Sequence, residues 1–254
     1  MKLVIGVATY NEALNIESLV SEIHRYLPEQ RVLIIDDNSP DGTRDVVEKM
    51  MVNDPYLRII HRPGKMGLGT AHIVMMRYVV ENNFDGLITM DADFSHQPKY
   101  LPQIAGYLWA RDAYDFVIGS RYVDGGRSCY GFSRNLISKI ANWGANKLAG
   151  IPLKECTTAY RGYRSELLRK LPLGEIKSNG YSFMVESLYH VIRCTDKIIE
   201  LPIEFIDRKR GSSKINRKEM LESACNLLRL FYRRKFGKIG KKSGCVDDGR
   251  RTRG

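Results

Sequence analysis

Residues 87–93 read Leu87-Ile88-Thr89-Met90-Asp91-Ala92-Asp93, a run of apolar residues that ends in two carboxylates. A short apolar run bounded by polar residues is typical of a buried β-strand, and we place a strand over Gly86 to Met90. Similar runs predict four more strands, at Leu3 to Ala8, Arg31 to Ile35, Leu57 to His61 and Phe116 to Gly119.

Longer segments with helical periodicity lie between these runs. In the first half of the chain they are Ile16 to Leu27, Thr43 to Val52 and Gly69 to Asn82. Alternation of short strands and helices predicts an α/β fold with a mostly parallel sheet flanked by helices. A chain of 254 residues with this pattern often forms one domain, and we expect a single one.

The pattern changes beyond about residue 125. The elements predicted there are a helix over Ser133 to Ala149, a polar loop over Thr157 to Arg164, a helix near Ser182 to Arg193, a strand over Ile198 to Phe205 and a helix from Arg217 to about Arg234. We therefore expect the domain to cover residues 1–232, with halves at 1–125 and 126–232. Residues 235–254 are glycine-rich and basic, and we expect them to be disordered.

Positive charge is concentrated near the carboxyl terminus. Residues 1–206 hold 24 Lys/Arg and 24 Asp/Glu, whereas residues 207–254 hold 16 and 5. The whole excess behind the net charge of +11 therefore lies in the last segment. It predicts attraction to phosphates, whether on a substrate, an anionic membrane or a nucleic acid.

Cysteine usage and hydropathy bear on the location of the protein. The five cysteines are widely spaced and match no metal-binding motif, which favours a reduced, cytoplasmic setting. The apolar run at Leu3 to Ala8 is too short for a secretory leader, and no run approaches the roughly 20 apolar residues of a membrane-spanning helix. We expect a soluble protein.

The two carboxylates quoted first are the strongest candidate for a site. Ligands of open α/β sheets bind at the carboxyl ends of strands. Carboxylates hold Mg²⁺ or Mn²⁺ together with phosphate oxygens, so Asp91 and Asp93 could chelate a metal on a diphosphate. The small Ala92 between them would leave room for a sugar. The alternative is a solvated turn or a helix cap.

Acidic and aromatic residues also follow the first two predicted strands. Asp37, after Asp36, could accept hydrogen bonds from a base or a ribose. Tyr10 could stack on a base, with Thr9 and Glu12 beside it. The alternatives are structural: a turn at Asp41-Gly42 with a helix cap at Asn38 or Ser39, and a cap at Asn11 or Asn15.

Other motifs disfavour several common kinds of nucleotide-binding and catalytic site. Lys65, Gly67 and Gly69 would suit a phosphate, but their spacing is not that of a P-loop, and no GxGxxG follows the first strand. His96 lies close to the carboxylate pair; we favour a local hydrogen bond over a role as catalytic base. No Ser-His-Asp or Cys-His arrangement is visible, which disfavours nucleophilic catalysis.

Cations that could face a phosphate are concentrated in the second half of the chain. A solvated loop is the ordinary interpretation of such residues, but a site with clustered carboxylates and a diphosphate needs cations nearby. The candidates are Arg121, Arg134, Arg208, Arg210 and Lys214.

Taken in order, the motifs resemble those of the polyprenol-phosphate mannose synthases, which are inverting family 2 glycosyltransferases of the GT-A fold. The likeness covers about residues 1–232. It is carried by Ala8-Thr9-Tyr10-Asn11-Glu12, by Ile35 to Thr43, by Gly64 to Ala71, by Met90 to His96, by Gly119-Ser120-Arg121-Tyr122 and by Arg208 to Lys214. Two motifs depart from the family: Ala8 stands where proline is usual, and Glu155 to Arg161 differs from the usual Asp-x-Thr loop.

The resemblance implies an activity and a set of site residues. The activity is transfer of mannose from GDP-mannose to a polyprenyl phosphate such as dolichyl or undecaprenyl phosphate. The nucleotide would contact Ala8, Tyr10, Glu12, Ile35 and Asp37. Asp91 and Asp93 would hold Mg²⁺ or Mn²⁺, with Ser95 as a further ligand. Arg121, Arg208 and Lys214 would engage the diphosphate or the acceptor phosphate, with Arg134 as another candidate.

A lipid acceptor would require peripheral attachment to the cytoplasmic face of a membrane, by the chain itself or through a membrane-anchoring partner subunit. Leu221, Ala224, Leu228 and Phe231 recur at helical spacing among cations, which suits an anionic bilayer surface. The alternative is a helix packed on the core with a solvated basic face.

Three rival functions stay open. A related transferase could use UDP-glucose, another donor or a soluble acceptor. A sugar nucleotidyltransferase would combine a similar sheet and metal, but the loop after the first strand lacks a basic glycine-rich stretch. Nucleic-acid binding through the basic terminus is disfavoured because the first 206 residues are neutral and the tail lacks interleaved aromatic residues.

Overall fold

A seven-stranded sheet forms the centre of the computed structural model, which describes residues 1–110, 112–206 and 217–236. The strands along the chain are β1 (Leu3–Thr9), β2 (Arg31–Asp36), β3 (Leu57–His61), β4 (Gly86–Asp91), β5 (Phe116–Ser120), β6 (Arg127–Ser128), β7 (Arg161–Arg164), β8 (Ile198–Pro202) and β9 (Glu204–Phe205). The order across the sheet is β3-β2-β1-β4-β7-β5-β8, and β6 pairs separately with β9.

Eight α-helices are described. They are α1 (Ile16–Tyr26), α2 (Thr43–Met51), α3 (Leu68–Glu81), α4 (Leu101–Trp109), α5 (Phe132–Gly144), α6 (Ser165–Lys170), α7 (Gly180–Cys194) and α8 (Arg217–Phe236). A 3₁₀ turn covers Pro98–Tyr100, and a π-helical turn over Ala145–Ala149 continues α5.

The sheet separates two hydrophobic clusters, as the alternation of side chains along a strand requires. On β1, Val4 belongs to a cluster that α3, α6 and α7 complete. Leu3, Ile5 and Val7 belong to a cluster with α1 and α4. Every pairing in the sheet is parallel except the two made by β7. The predicted α/β fold with a mostly parallel, helix-flanked sheet is confirmed.

Two predictions for the second half of the chain are wrong in detail. The predicted polar loop ends in a strand, β7, which pairs antiparallel with β4 and β5. The predicted strand Ile198 to Phe205 is divided at Ile203 into β8 and β9. Helices α4 and α6 were not predicted. The expected disordered tail lies outside the described residues, apart from Lys235 and Phe236, which end α8.

Helix α8 packs on the domain through a face other than the stripe predicted from its spacing. Asn226 and Leu230 are buried, whereas Ala224 and Leu228 are exposed. Arg229 Nη2 donates to Glu186 Oε1 of α7 at 2.8 Å. The helix is therefore both anchored to the core and apolar on its outer side. None of the helices described is long and apolar enough to cross a membrane.

Candidate active site

The carboxyl ends of β2, β1 and β4 lie side by side at one edge of the sheet. Ala8 of β1 is in register with Ile35 of β2 on one side and with Asp91 of β4 on the other. The backbone N–H of Asp37 donates to Thr9 O at 3.1 Å, which joins the first two loops. The structure therefore brings together the three loops that the sequence predicts to form a site.

Each of these loops turns sharply at a residue in the left-handed region. The residues are Asn11 (φ 63°), Asn38 (φ 58°) and Phe94 (φ 63°). Asparagine tolerates this conformation, but for a bulky residue such as Phe94 it costs about 1–2 kcal/mol. The strained turn lies directly after Asp93. Strain of this kind is concentrated at functional sites in proteins.

The acidic residues after β2 hold the neighbouring loops in place. Asp36 accepts hydrogen bonds from Thr9 Oγ1 at 3.0 Å and from Ser39 N at 3.0 Å. Asp37 forms a buried ion pair with Arg62 and accepts a hydrogen bond from Gly67 N at 3.1 Å. The sequence did not single out Arg62. The expected contact of Asp37 with a nucleotide stays a prediction. The contacts that Asp37 makes in the structure, with Arg62 and Gly67, hold the neighbouring loop in place.

The predicted helix caps are not the ones that form. Asn15 donates from its side chain to Glu12 Oε2 at 2.7 Å and does not cap α1. At α2 neither Asn38 nor Ser39 caps; Asp41 Oδ1 accepts from the backbone N–H of Thr43 at 3.1 Å instead. The predicted turn at Asp41-Gly42 does form, with Gly42 in the left-handed region at φ 86°, whereas the predicted side-chain caps of α1 and α2 do not.

Tyr10 lies at the surface between the first loop and the basic glycine loop. Its ring is half-exposed, and Lys65 Nζ lies 4.2 Å from its centroid. The loop itself is anchored at Gly69, whose backbone N–H donates to Asn179 Oδ1 at 3.2 Å. An exposed aromatic ring beside a cation can meet both a base and a phosphate.

Two residues assigned to the nucleotide sugar have buried side chains. Ile35 belongs to one hydrophobic cluster and Ala92 to the other. The methyl group of Ala92 packs in the core, and the expectation that this small residue leaves room for a sugar stays a prediction. Ile35 can contribute only through its backbone, since its side chain is fully buried.

Asp91 and Asp93 lie where β4 ends. Asp93 is 7% exposed, and its Oδ1 accepts from Ser95 N at 3.0 Å. Ser95 Oγ is buried and has no hydrogen-bond partner in the part of the chain that the structure describes. Two carboxylates and an unsatisfied hydroxyl are hard oxygen donors, which fit Mg²⁺ or Mn²⁺. Among the described residues no set of three or more His, Cys, Asp and Glu comes together to hold a metal.

His96 supports this pair from inside the protein. Its Nδ1 accepts a hydrogen bond from the backbone N–H of Asp91 at 2.9 Å, so its proton must be on Nε2, which lies 3.1 Å from Thr158 Oγ1. The ring stacks on Tyr160 at 4.9 Å and meets the edge of Phe205 at 5.1 Å. Because both nitrogens are engaged, the favoured interpretation as a local hydrogen-bonding residue agrees with the structure.

Arg121 also contacts Phe205, with its guanidinium 5.1 Å from that ring. It forms a two-pronged ion pair with the buried Glu155, at 2.8 and 3.0 Å, and donates to Thr157 Oγ1 at 2.8 Å. Burial alone would lower the pKa of Arg121, but the Glu155 carboxylate outweighs it and raises that pKa. Burial opposes ionisation of Glu155 too, and Arg121 nevertheless holds its pKa below the ordinary value.

The loop that departs from the family pattern thus contacts both halves of the site. Glu155 and Thr157 bind Arg121, and Thr158 binds His96. Sequence reasoning did not assign these residues a role. The signal that could have found them is the acidic residue and two threonines placed just before β7.

The remaining predicted cations are not placed. Arg208, Arg210 and Lys214 lie outside the described residues, and nothing is described of the side chain of Arg134. Their assignment to a phosphate stays a prediction.

The sheet order and the carboxylate pair at its edge define the class of the protein as an α/β enzyme of the GT-A fold. Solved structures of glucosyl-3-phosphoglycerate synthase from Mycobacterium tuberculosis share this fold. One, with Mn²⁺, UDP and glucosyl-3-phosphoglycerate, has a TM-score of 0.65 at 16% identity, covering 90% of this chain and 79% of that one. Another, with Mg²⁺ and UDP, also scores 0.65, at 17% identity over the same shares.

Sequence comparison identifies the family. The model of glycosyl transferase family 2 matches residues 4–172. Undecaprenyl-phosphate mannosyltransferase of Micrococcus luteus is 37% identical over 230 residues, covering 90% of this chain and 93% of that protein. Polyprenol monophosphomannose synthase of Mycolicibacterium smegmatis is 35% identical over 220 residues, covering 85% and 82%. The chain belongs to glycosyl transferase family 2, and its resemblance to the polyprenol-phosphate mannose synthases is confirmed.

Proposed function

We propose that this glycosyltransferase moves mannose from GDP-mannose to the phosphate of a polyprenyl phosphate, with inversion at the anomeric carbon. The observation that carries the proposal is the buried, doubly hydrogen-bonded His96 beside the two aspartates. A histidine held in this way does not remove a proton from an acceptor. An acceptor that is already ionised needs no such base.

A phosphate monoester meets this requirement. Its second pKa is near 6, by analogy with phosphoserine, so it is largely dianionic at neutral pH. One of its oxygens would attack the anomeric carbon while the bond to the nucleoside diphosphate breaks. Two relatives named undecaprenyl-phosphate mannosyltransferase and polyprenol monophosphomannose synthase support the same acceptor class.

The residues of this chain would bind and align the reactants. Tyr10 and Lys65 offer an aromatic face and a cation to the nucleotide. Arg121 uses Nε and Nη2 in its internal hydrogen bonds, and we assign a phosphate to Nη1. Asp91, Asp93 and Ser95 would hold Mg²⁺ or Mn²⁺. When bound, the cation would neutralise charge on the departing diphosphate. Alignment and charge stabilisation supply most of the rate in such a site.

The test is a reconstituted reaction. The protein is mixed with Mn²⁺, GDP-mannose and a short-chain polyprenyl phosphate, and a mannosylated lipid is sought by mass spectrometry. UDP-glucose, a soluble phosphate acceptor and a chelator are the comparison arms. Mannosyl transfer that a chelator abolishes supports the proposal. Transfer only from UDP-glucose, or pyrophosphate release from a nucleoside triphosphate and a sugar phosphate, contradicts it.

Thermal protection gives an independent measure of donor choice. A ligand that binds the native state raises the melting temperature, and the stabilisation grows with the logarithm of the ligand concentration divided by Kd. We expect GDP and GDP-mannose with Mn²⁺ to protect more than the uridine and adenosine nucleotides. Greater protection by a uridine nucleotide would move the donor assignment to UDP-sugars.

We also propose that the protein works on the cytoplasmic face of a membrane by peripheral attachment, since a polyprenyl acceptor resides in a bilayer. A membrane-anchoring partner subunit would serve the same end.

A further inference from the structure

Helix α5 presents an apolar stripe to solvent. Leu136, Ile140 and Trp143 recur at positions i, i+4 and i+7, which lie on one face of a helix. Ile140 is 59% exposed and Trp143 is 62% exposed. Lys139, also exposed, lies within the same face. Large side chains in such a row usually contact another surface.

The opposite face of α5 contacts the candidate active site. Ser138 Oγ accepts a hydrogen bond from Arg121 Nη2 at 3.2 Å. Asn142 Oδ1 accepts from the backbone N–H of Cys156 at 2.8 Å, next to Glu155. One helix therefore separates solvent from the arginine assigned to a phosphate.

Helix α8 carries a second stripe next to the first. Leu228, Tyr232 and Phe236 recur at i, i+4 and i+8 and are exposed. Arg234 Nη1 donates to Lys147 O, in the π-helical turn after α5, at 3.2 Å. The two helices are therefore neighbours, and both turn aromatic and aliphatic side chains outward.

Cations are in excess around both stripes, with Arg229 and Arg233 of α8 paired to Glu186 and Glu175 and the other cations left to set the sign of the surface. Residues 125–154, which contain α5, hold five Lys/Arg and no Asp or Glu. Residues 223–236 of α8 hold four Lys/Arg and no Asp or Glu. Apolar and aromatic side chains fringed by cations complement an anionic bilayer, because rings and aliphatic groups enter the interface while Lys and Arg reach the headgroups.

We infer that the outer faces of α5 and α8 form a membrane-docking surface for anionic phospholipid. Leu136, Ile140 and Trp143 on α5, with Leu228, Tyr232 and Phe236 on α8, define this docking surface. The inference extends the proposed function in one respect, which rests on the proposed acceptor. A lipid-borne phosphate would approach Arg121 by passing around the docked helix α5. Binding to phospholipid itself requires no acceptor and can be tested without one.

The two tryptophans of the chain make a matched pair of reporters. Trp143 lies in the docking surface, whereas Trp109 ends α4 and is 43% exposed. Trp109→Phe leaves only Trp143, and Trp143→Phe leaves only Trp109. With vesicles of phosphatidylcholine and phosphatidylglycerol that contain no polyprenyl phosphate, we expect a blue shift of Trp143 emission and no shift of Trp109 emission.

Vesicle co-sedimentation tests the energetics. We expect Ile140→Ser with Trp143→Ser to weaken binding by about tenfold or more, because both side chains lose their interfacial burial. Trp109→Ser, the control at an exposed tryptophan elsewhere, should bind as the wild type does. Lys139→Glu with Lys147→Glu should weaken binding to anionic vesicles by a similar factor. Melting temperatures close to the wild-type value establish that each variant is folded.

Each other outcome overturns the inference. A shift of Trp109 emission alone places docking elsewhere. If Trp143 emission does not shift with anionic vesicles, the surface does not bind phospholipid, and a protein partner becomes the alternative occupant. A shift that grows with protein concentration in the absence of vesicles assigns it to a second copy of this chain. Failure of mannosyl transfer does not affect any of these measurements, so it overturns the proposed function and leaves the docking surface standing.

Discussion

The backbone N–H of Asp91 donates to Nδ1 of His96 at 2.9 Å, so a side chain buried in the protein holds the end of the strand that carries the first carboxylate. Thr158 holds the other ring nitrogen, and Tyr160 and Phe205 fix the ring plane. His96 is therefore a positioning residue for the Asp91 and Asp93 pair.

Substitutions that keep or remove the acceptor test this role. In His96→Asn the amide oxygen can occupy the place of Nδ1, whereas His96→Leu leaves the Asp91 N–H without it. An unsatisfied buried donor costs about 1–3 kcal/mol. We expect His96→Leu to weaken Mn²⁺ binding in the presence of GDP by about tenfold, and His96→Asn to retain more of it. Titration calorimetry measures both, and equal affinity in the two variants would argue against the role.

The charge of Asp93 can be removed without removing its structural hydrogen bond. Asp93→Asn keeps an oxygen that can accept from Ser95 N, so we expect the melting temperature to stay near the wild-type value. Loss of a metal ligand should cost several kcal/mol of transition-state stabilisation, or at least about a hundredfold in kcat/KM. Asp45→Asn, at an exposed carboxylate in α2, is the control. Unchanged turnover in Asp93→Asn would remove the metal role assigned to this pair.

The first half of the fold follows from local sequence. β1 to β4 are short apolar runs with polar ends, and the carboxyl ends of parallel strands meet by construction. For that reason the sequence alone predicts that Tyr10, Asp37 and Asp91 lie at one edge of the sheet. This placement follows from the local strand pattern alone and does not depend on contacts between distant parts of the chain.

The second half depends on contacts that no local pattern encodes. β7 escaped prediction because it contains Arg161, whose fully buried guanidinium donates to the carbonyls of Cys156 and Thr158. The partners of His96 and Arg121 lie 62 and 34 residues away in the chain. Their spacing carries no periodicity. An acidic residue and two threonines before β7 mark the segment, but the contacts of Glu155 with Arg121 and of Thr158 with His96 are visible only in the folded structure.

The buried pair of Glu155 and Arg121 predicts a large cost for removing one partner. Glu155→Gln leaves a buried arginine without its counter-charge, and breaking such pairs typically costs about 3–5 kcal/mol. We expect a loss of this order in the free energy of unfolding in urea at pH 7. Adding Arg121→Met to Glu155→Gln should recover part of the loss. A loss near zero in the single variant would show that the pair does not hold the loop.

The same pair predicts a pH dependence. Because Arg121 lowers the pKa of Glu155 below its usual 4.5, the stability from this carboxylate is present above pH 4.5 and is lost as the pH falls through the folded-state pKa. Glu155→Gln should therefore flatten the stability curve below pH 4.5. Urea unfolding from pH 3 to 6 measures this, and parallel curves for the two proteins would contradict it.

His72 gives a separate test at higher pH. The ring is buried against Phe183, with centroids 5.5 Å apart, and burial lowers its pKa from 6.5 to about 3, with a further contribution from Arg161. A lowered pKa means that the unfolded chain binds the proton first, so stability is lost as the pH falls from 6.5 towards 3. His72→Leu removes this term and should make the unfolding free energy depend less on pH between 6.5 and 4, while changing it little at pH 7.5. If His72→Leu and the wild type lose stability in parallel over that range, the buried imidazole of His72 is not the group responsible for the loss of stability between pH 6.5 and 4.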